Sequence, residues 1–157
     1  MELITDWKFV SDTVMGGVSQ GRISHENIAG LQATRLTGEV SLENNGGFVQ
    51  MAFDISKNGR DFDASRFNAI ELNVIGNDET YDLRLRTSDL NRPWQSFRVS
   101  FFAPSKWTTV SFRFADFIRH KTDTLFNPKH LRRIGVLGIG RVLTADIAVS
   151  RIRLINQ

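Results

Sequence analysis

Apolar and polar residues alternate with a period of two along most of the chain. In AIELNVI, Ala69 to Ile75, Ile70, Leu72 and Val74 fall on one side and Glu71 and Asn73 on the other, as in a strand with one wet face. YDLRLRT repeats the pattern, setting Tyr81, Leu83 and Leu85 against Asp82, Arg84 and Arg86. WQSFRVSFF sets Phe97, Val99 and Phe101 against Trp94, Ser96, Arg98 and Ser100, and TVSFRF and IAVSRIRLI follow the same rule. Between the runs stand Asn45-Gly46-Gly47, Asn58-Gly59, Gly76-Asn77-Asp78 and Asn91-Arg92-Pro93, combinations that favour tight turns. About nine short strands spaced by such turns predict an all-β antiparallel sandwich, without crossover helices. Only Ala115–His120 and Pro128–Arg133 read as helical turns, and nothing resembles a linker or repeat, so a single domain over residues 1–157 is expected.

Composition sharpens this. At 157 residues and 41% hydrophobic content the chain is long enough to bury a real core. Twelve phenylalanines against one tyrosine predict that the core is phenylalanine-rich. Cysteine is absent, and His25, His120 and His130 lack partners at ligand spacing, so no metal and no cofactor are expected. The start, MELITDWKF, has no basic region followed by an apolar run, and no stretch is apolar enough for a membrane span. A cytoplasmic location is the default expectation, the mature form of an imported protein being the alternative. Net charge is +3, and fifteen of the twenty cations are arginine, the residue suited to bidentate recognition of carboxylates and phosphates. They are spread singly rather than in a stripe, which argues against nucleic acid.

Three motifs with catalytic or cofactor overtones fail on context. Gly17-Val18-Ser19-Gln20-Gly21 spells a nucleophile elbow, but QGRISHE after it alternates like a strand where that elbow requires a helix. Asp61 and Asp63 lack the glycine and glutamate of a calcium loop. GVLGIG, Gly135 to Gly140, has the wrong glycine order for a dinucleotide site. The chain therefore reads as a binding protein and not an enzyme.

The residues opposite the core positions carry the candidate binding chemistry. Phe48, Gln50 and Asp54 from GGFVQMAFDI join Asp82, Arg84, Arg86, Trp94, Ser96, Arg98 and Ser100 as a face of arginines, acids, amides and large aromatics. Glu71, Asn73 and Arg113 read as ordinary solvated sheet. Phe48, Gln50, Asp82, Arg84, Arg86, Trp94 and Arg98 read as a surface for a protein partner or polar ligand, because paired strand arginines and an outward tryptophan are unusual on an idle face.

DWKFVSDTVMGGVSQG, LTGEVSLENNGGFVQM, YDLRLRT, PWQSF and WTTVSFRFADF occur in this order over nearly the whole chain. Together they resemble the complex I intermediate-associated protein 30 family, a mitochondrial assembly factor with many bacterial relatives. The resemblance implies a galactose-binding-like jelly roll, a fold seen also in carbohydrate-binding modules. It also implies a non-catalytic role in assembly of the respiratory NADH:ubiquinone oxidoreductase, with complex I subunits or assembly intermediates as partners; a glycan is the alternative ligand. The two glycine turns then read as corners set against each other or against a ligand. Met15, Gly16 and Gly17 would border the binding face, with Asp12 and Ser19 capping the first turn and Glu43 and Asn44 the second, at Gly46-Gly47.

Overall fold

A computed structural model describes residues 1–157, the side chain of Asn45 excepted. The chain forms eleven strands: β1 (Lys8–Ser11), β2 (Gln20–Ile28), β3 (Leu31–Val40), β4 (Phe48–Asp54), β5 (Ala69–Ile75), β6 (Glu79–Thr87), β7 (Ser96–Ala103), β8 (Thr108–Arg113), β9 (Ile118–His120), β10 (Leu131–Ile139) and β11 (Leu143–Ile155). They make two antiparallel sheets, a front sheet β1-β4-β10-β6-β7-β9 and a back sheet β2-β3-β11-β5-β8. Only β2–β3 and β6–β7 are consecutive strands paired in one sheet; the chain otherwise passes between layers or skips strands, giving a jelly-roll β-sandwich. Gly76-Asn77-Asp78 is accordingly a crossing between layers and not a hairpin turn.

Helical structure is confined to four single 3-10 turns, at Asp12–Met15, Glu43–Asn45, Phe114–Asp116 and Pro128–His130. None is long and apolar enough to cross a membrane. The helical reading of Ala115–His120 holds at its start, within the 3-10 turn Phe114–Asp116, and is corrected beyond it: Ile118–His120 pairs with Arg98, Phe97 and Ser96 as edge strand β9, because the open edge of β7 offers backbone partners that one helical turn lacks. Pro128–Arg133 is likewise a 3-10 turn running straight into β10.

The inner faces are closed by the alternating positions. Leu36, Val49, Met51, Ile70, Leu72, Leu83, Leu85, Ile134, Val136, Ile147 and Ile152 are fully enclosed. Phenylalanines share the core with these aliphatic residues, as composition predicts: Phe53 and Phe97 are fully enclosed and Phe101 and Phe114 buried. Phe97 and Phe114 both pack on Phe126, and Phe101, Phe112 and Phe117 follow one another at 5.9 and 6.5 Å. One bulge reconciles β11 with its two buried halves: pairing with β5 slips between Val149 and Arg151, so Val149 and Ile152, three apart, both face inward. Tyr81 ties the layers together. Its hydroxyl donates to Asn77 Oδ1 at 2.6 Å and accepts from the Asp146 backbone N–H at 2.8 Å, and burial pushes its pKa up to about 12.

The two glycine corners are where the chain leaves the front sheet for the back and later returns. Asp12, buried in the first corner, accepts from the backbone N–H and hydroxyl of Ser19, from Gly47 N–H at 2.6 Å and from Phe48 N–H at 3.3 Å. Ser19 Oγ in turn accepts from Ser41 N–H at 2.8 Å. The corners are thus fitted to each other. A Cβ on Gly17 would stand 2.4 Å from the Asp12 carboxyl carbon, and one on Gly46 2.5 Å from its Oδ2, so glycine is required for close approach. The capping expected from Glu43 and Asn44 side chains is corrected: neither makes a hydrogen bond among the described residues, since Asp12 already takes the N–H groups that leave that turn, and Ser41 Oγ accepts from Glu43 N–H. Asn44 contributes left-handed backbone instead, at φ 55°.

Burial opposes ionisation of Asp12, but the hydrogen bonds from Ser19, Gly47 and Phe48 outweigh it and hold its carboxyl below the usual value of 3.8. A depressed folded-state pKa adds stability that is complete above the unfolded value and lost as pH falls through the folded one. Asp12→Asn keeps the shape but turns an amide NH₂ toward N–H donors, so it should lower unfolding free energy at pH 7 by about 2–4 kcal/mol. Urea titrations of both proteins at pH 7 and pH 2 should show the gap closing in acid; a gap independent of pH would refute the charge-based account.

Candidate functional site

The outer face of the front sheet is organised by cross-strand register. Gln50, Leu137, Asp82 and Ser100 form one row across β4, β10, β6 and β7; Ala52, Gly135, Arg84 and Arg98 form the next. Gly135 leaves the space that Gln50 fills, since a Cβ there would meet Gln50 Oε1 at 2.7 Å. Arg84 and Arg98 are directly opposed, an arrangement that repels unless an anion is shared. Asp82 supplies it: Oδ2 accepts from Arg84 Nη2 at 2.9 Å and Nε at 3.2 Å and lies 3.9 Å from Arg98 Nη1, while Oδ1 accepts from Ser100 Oγ at 2.9 Å.

Beyond this row the face is roofed. Arg86 points outward, as the alternation predicts, but its Nη1 donates to the carbonyls of Arg92, Pro93 and Gln95. Those bonds fold the β6–β7 loop over this end of the sheet, leaving Thr87 and Ser96 buried although Ser96 is on the outer side. Burial, and then the neighbouring Arg133 and Arg132, lower the Arg86 pKa from its ordinary range. Its guanidinium is occupied in shaping the loop, which corrects its placement among ligand-contacting residues. Trp94 belongs to the same loop, not to β7, and stays 53% exposed.

Between that roof and the β10–β11 turn lies a depression of about 450 Å³, lined by Asp82, Arg84, Arg98, Ser100, His120 and Lys121, with Thr80 and Ile139 to Arg141 along the far rim. Arg141 is paired with Glu79. Burial, then Arg84, Arg98 and Lys121, lower the His120 pKa below 6.5 despite the opposing pull of Asp82. His130, bonded to Asp89, is shifted the other way.

The site predicted from sequence is therefore partly assembled. Asp82, Arg84 and Arg98 line the depression; Gln50 lies two strands from Asp82 in the same row; Phe48 pairs with Ile139 of the rim. Met15, Gly16 and Gly17 lie at the Phe48 end through the Asp12 bonds but line no part of it. Glu71, Asn73 and Arg113 lie on the back sheet, which separates them from the face altogether. His120 and Lys121 were missed because the strand carrying His120 has three residues, too few to show alternation. Ser19 is buried against Asp12 and Ser41, and its hydroxyl has no histidine partner among the described residues, so the nucleophile-elbow spelling has no catalytic geometry behind it.

The pattern of the Complex I intermediate-associated protein 30 (CIA30) family matches residues 1–148. The chain belongs to the CIA30 family. No curated protein sequence matches it. Solved structures similar to this CIA30 member include a family 11 carbohydrate-binding module from Clostridium thermocellum in complex with a β-1,3-1,4-mixed-linked tetrasaccharide, with a TM-score of 0.77 and 12% identity over 98% of this chain and 90% of the module. The family 30 carbohydrate-binding module of a Clostridium thermocellum cellulosomal cellulase has a TM-score of 0.70 and 13% identity over 100% of this chain and 94% of the module. At such identities the likeness establishes the jelly-roll fold and nothing finer.

The charge environment of the depression is directly measurable. Ring-proton NMR titration should give His120 a pKa below 6.5 and His130 one above it; the reverse order would mean that Arg84, Arg98 and Lys121 do not converge on His120.

Proposed function

We propose that this CIA30 protein is a non-catalytic binding module that engages protein partners through the outer face of its front sheet, in the manner of an assembly factor for respiratory complex I. The carrying observation is a polar, cation-rich face flanked by half-exposed aromatics, Trp94 at 53% and Phe102 at 54%, on a chain of this family. Such aromatics anchor protein interfaces because they bury large area with few torsions to fix. A glycan ligand is the second reading, favoured by Trp94 as a stacking surface and by the carbohydrate-binding modules that share the fold.

Trp94→Ala/Phe102→Ala removes the exposed rings without touching the core. Recovery of complex I assembly intermediates from solubilised respiratory membranes should fall at least about tenfold with this variant, the size of an ordinary interface hot spot. Equal recovery would reject the face, and retardation of the unaltered protein by mixed-linkage β-glucan in affinity gels, abolished in the variant, would favour the glycan reading.

A further inference from the structure

We infer that the depression beside Asp82 is a subsite for a small anionic molecule of about one sugar ring, whose carboxylate or phosphate group is held by Arg98 and Lys121. The inference deepens the binding reading above and rests on the same face. Three observations carry it. Opposed Arg84 and Arg98 share a single carboxylate, and Asp82 is already committed to Arg84 and Ser100, so Arg98 at 3.9 Å is left without a close partner. Lys121, exposed and in left-handed backbone at φ 58°, makes no ion pair among the described residues. It is fixed beside the depression by its carbonyl, which accepts from Gln95 Nε2 at 3.2 Å. Lastly, the cations converge: His120 lies among Arg84, Arg98 and Lys121, which together disfavour its proton.

Repulsion of this kind weakens the empty site and is relieved when an oxyanion enters, so charge-assisted bonds form without breaking an existing pair. The volume falls at the small end of the range of ligand sites and leaves room for more than a bare ion. Ser100 and Thr80 offer hydroxyls, and Ile139 an apolar wall, to the uncharged part of the ring.

The probes are glucuronate, glucose 6-phosphate and uncharged glucose, each added to the ¹⁵N-labelled full chain at constant ionic strength. One or both anions should give saturable shifts confined to Thr80–Arg84, Arg98–Ser100, His120–Lys121 and Ile139–Arg141 and should raise the His120 pKa, and the stronger of the two identifies carboxylate or phosphate. Arg98→Gln/Lys121→Gln should weaken that binding at least about tenfold, and Lys121→Gln alone, a change at an exposed residue, severalfold. Glucose binding as well as the anions, anion shifts no larger than those from sodium chloride, or unchanged affinity in Lys121→Gln would each overturn the subsite. Because these substitutions leave Trp94 and Phe102 in place, the subsite can fail while partner capture survives, and the reverse outcome is equally distinguishable.

Discussion

A single buried carboxylate holds the fold's most demanding corner. Asp12 joins the turn that takes the chain from β1 to the back sheet with the turn that brings it back to β4. Strand pairing does not align these two corners, because each lies outside both sheets. A carboxylate with its several lone pairs can collect N–H groups from both turns, which a neutral acceptor of the same size cannot. The glycines follow from this: Gly17 and Gly46 have no side chain because the Asp12 carboxyl occupies the space a Cβ would take. The run DTVMGGVS is therefore a structural clamp, and β1 and β4, the strands it fixes, form one edge of the front sheet.

The face itself depends on how one arginine is used. Arg84 and Arg86 have the same spacing from the core and the same outward direction, yet different neighbours give them opposite roles. Arg86 meets a loop that turns three carbonyls toward it and becomes part of the scaffold. Arg84 meets Asp82, which holds it flat against the sheet with little exposure. The roof over Arg86 covers one end of the outer face, and the depression lies beside it at the Asp82 row, with Trp94 exposed on the roof.

Much of this architecture was legible in the chain. Alternation identified β5, β6, β7, β8 and β11 because each is covered on one side only, and the sandwich class follows from them. The outward placement of Asp82, Arg84 and Arg98 was legible for the same reason: they sit on strands long enough to declare an outward side. Topology was less accessible. Gly76-Asn77-Asp78 reads the same in a hairpin as in a crossing between layers, since local backbone freedom does not encode which sheet receives the next strand. Arg86 and Trp94 were misplaced because the loop after Thr87 folds back through side chain to carbonyl bonds, which leave no period in the sequence. His120 and Lys121 come from an edge strand that exists only because β7 presents unpaired backbone groups, a property of the assembled sheet.

The two outer faces of the sandwich differ in how their charges are paired. On the back sheet Arg35 reaches Asp146 through Nε at 2.8 Å and Nη2 at 2.7 Å, with Glu26 at 3.4 Å, and Arg153 lies 3.4 Å from Glu71. Asn73 donates to Ser150 at 2.8 Å. Cross-strand partners there satisfy one another, so a ligand entering would have to break pairs before making its own. On the front sheet Arg98 faces Arg84 across the strands, and Lys121 approaches from the edge, with Asp82 as the shared anion. Asp82 offsets only part of that positive charge, so an anion reaching the face would gain from what is left. The same alternation of polar residues therefore leaves mostly paired charges on one layer and an excess of cations around one carboxylate on the other, and the difference lies in which residues the register sets opposite each other.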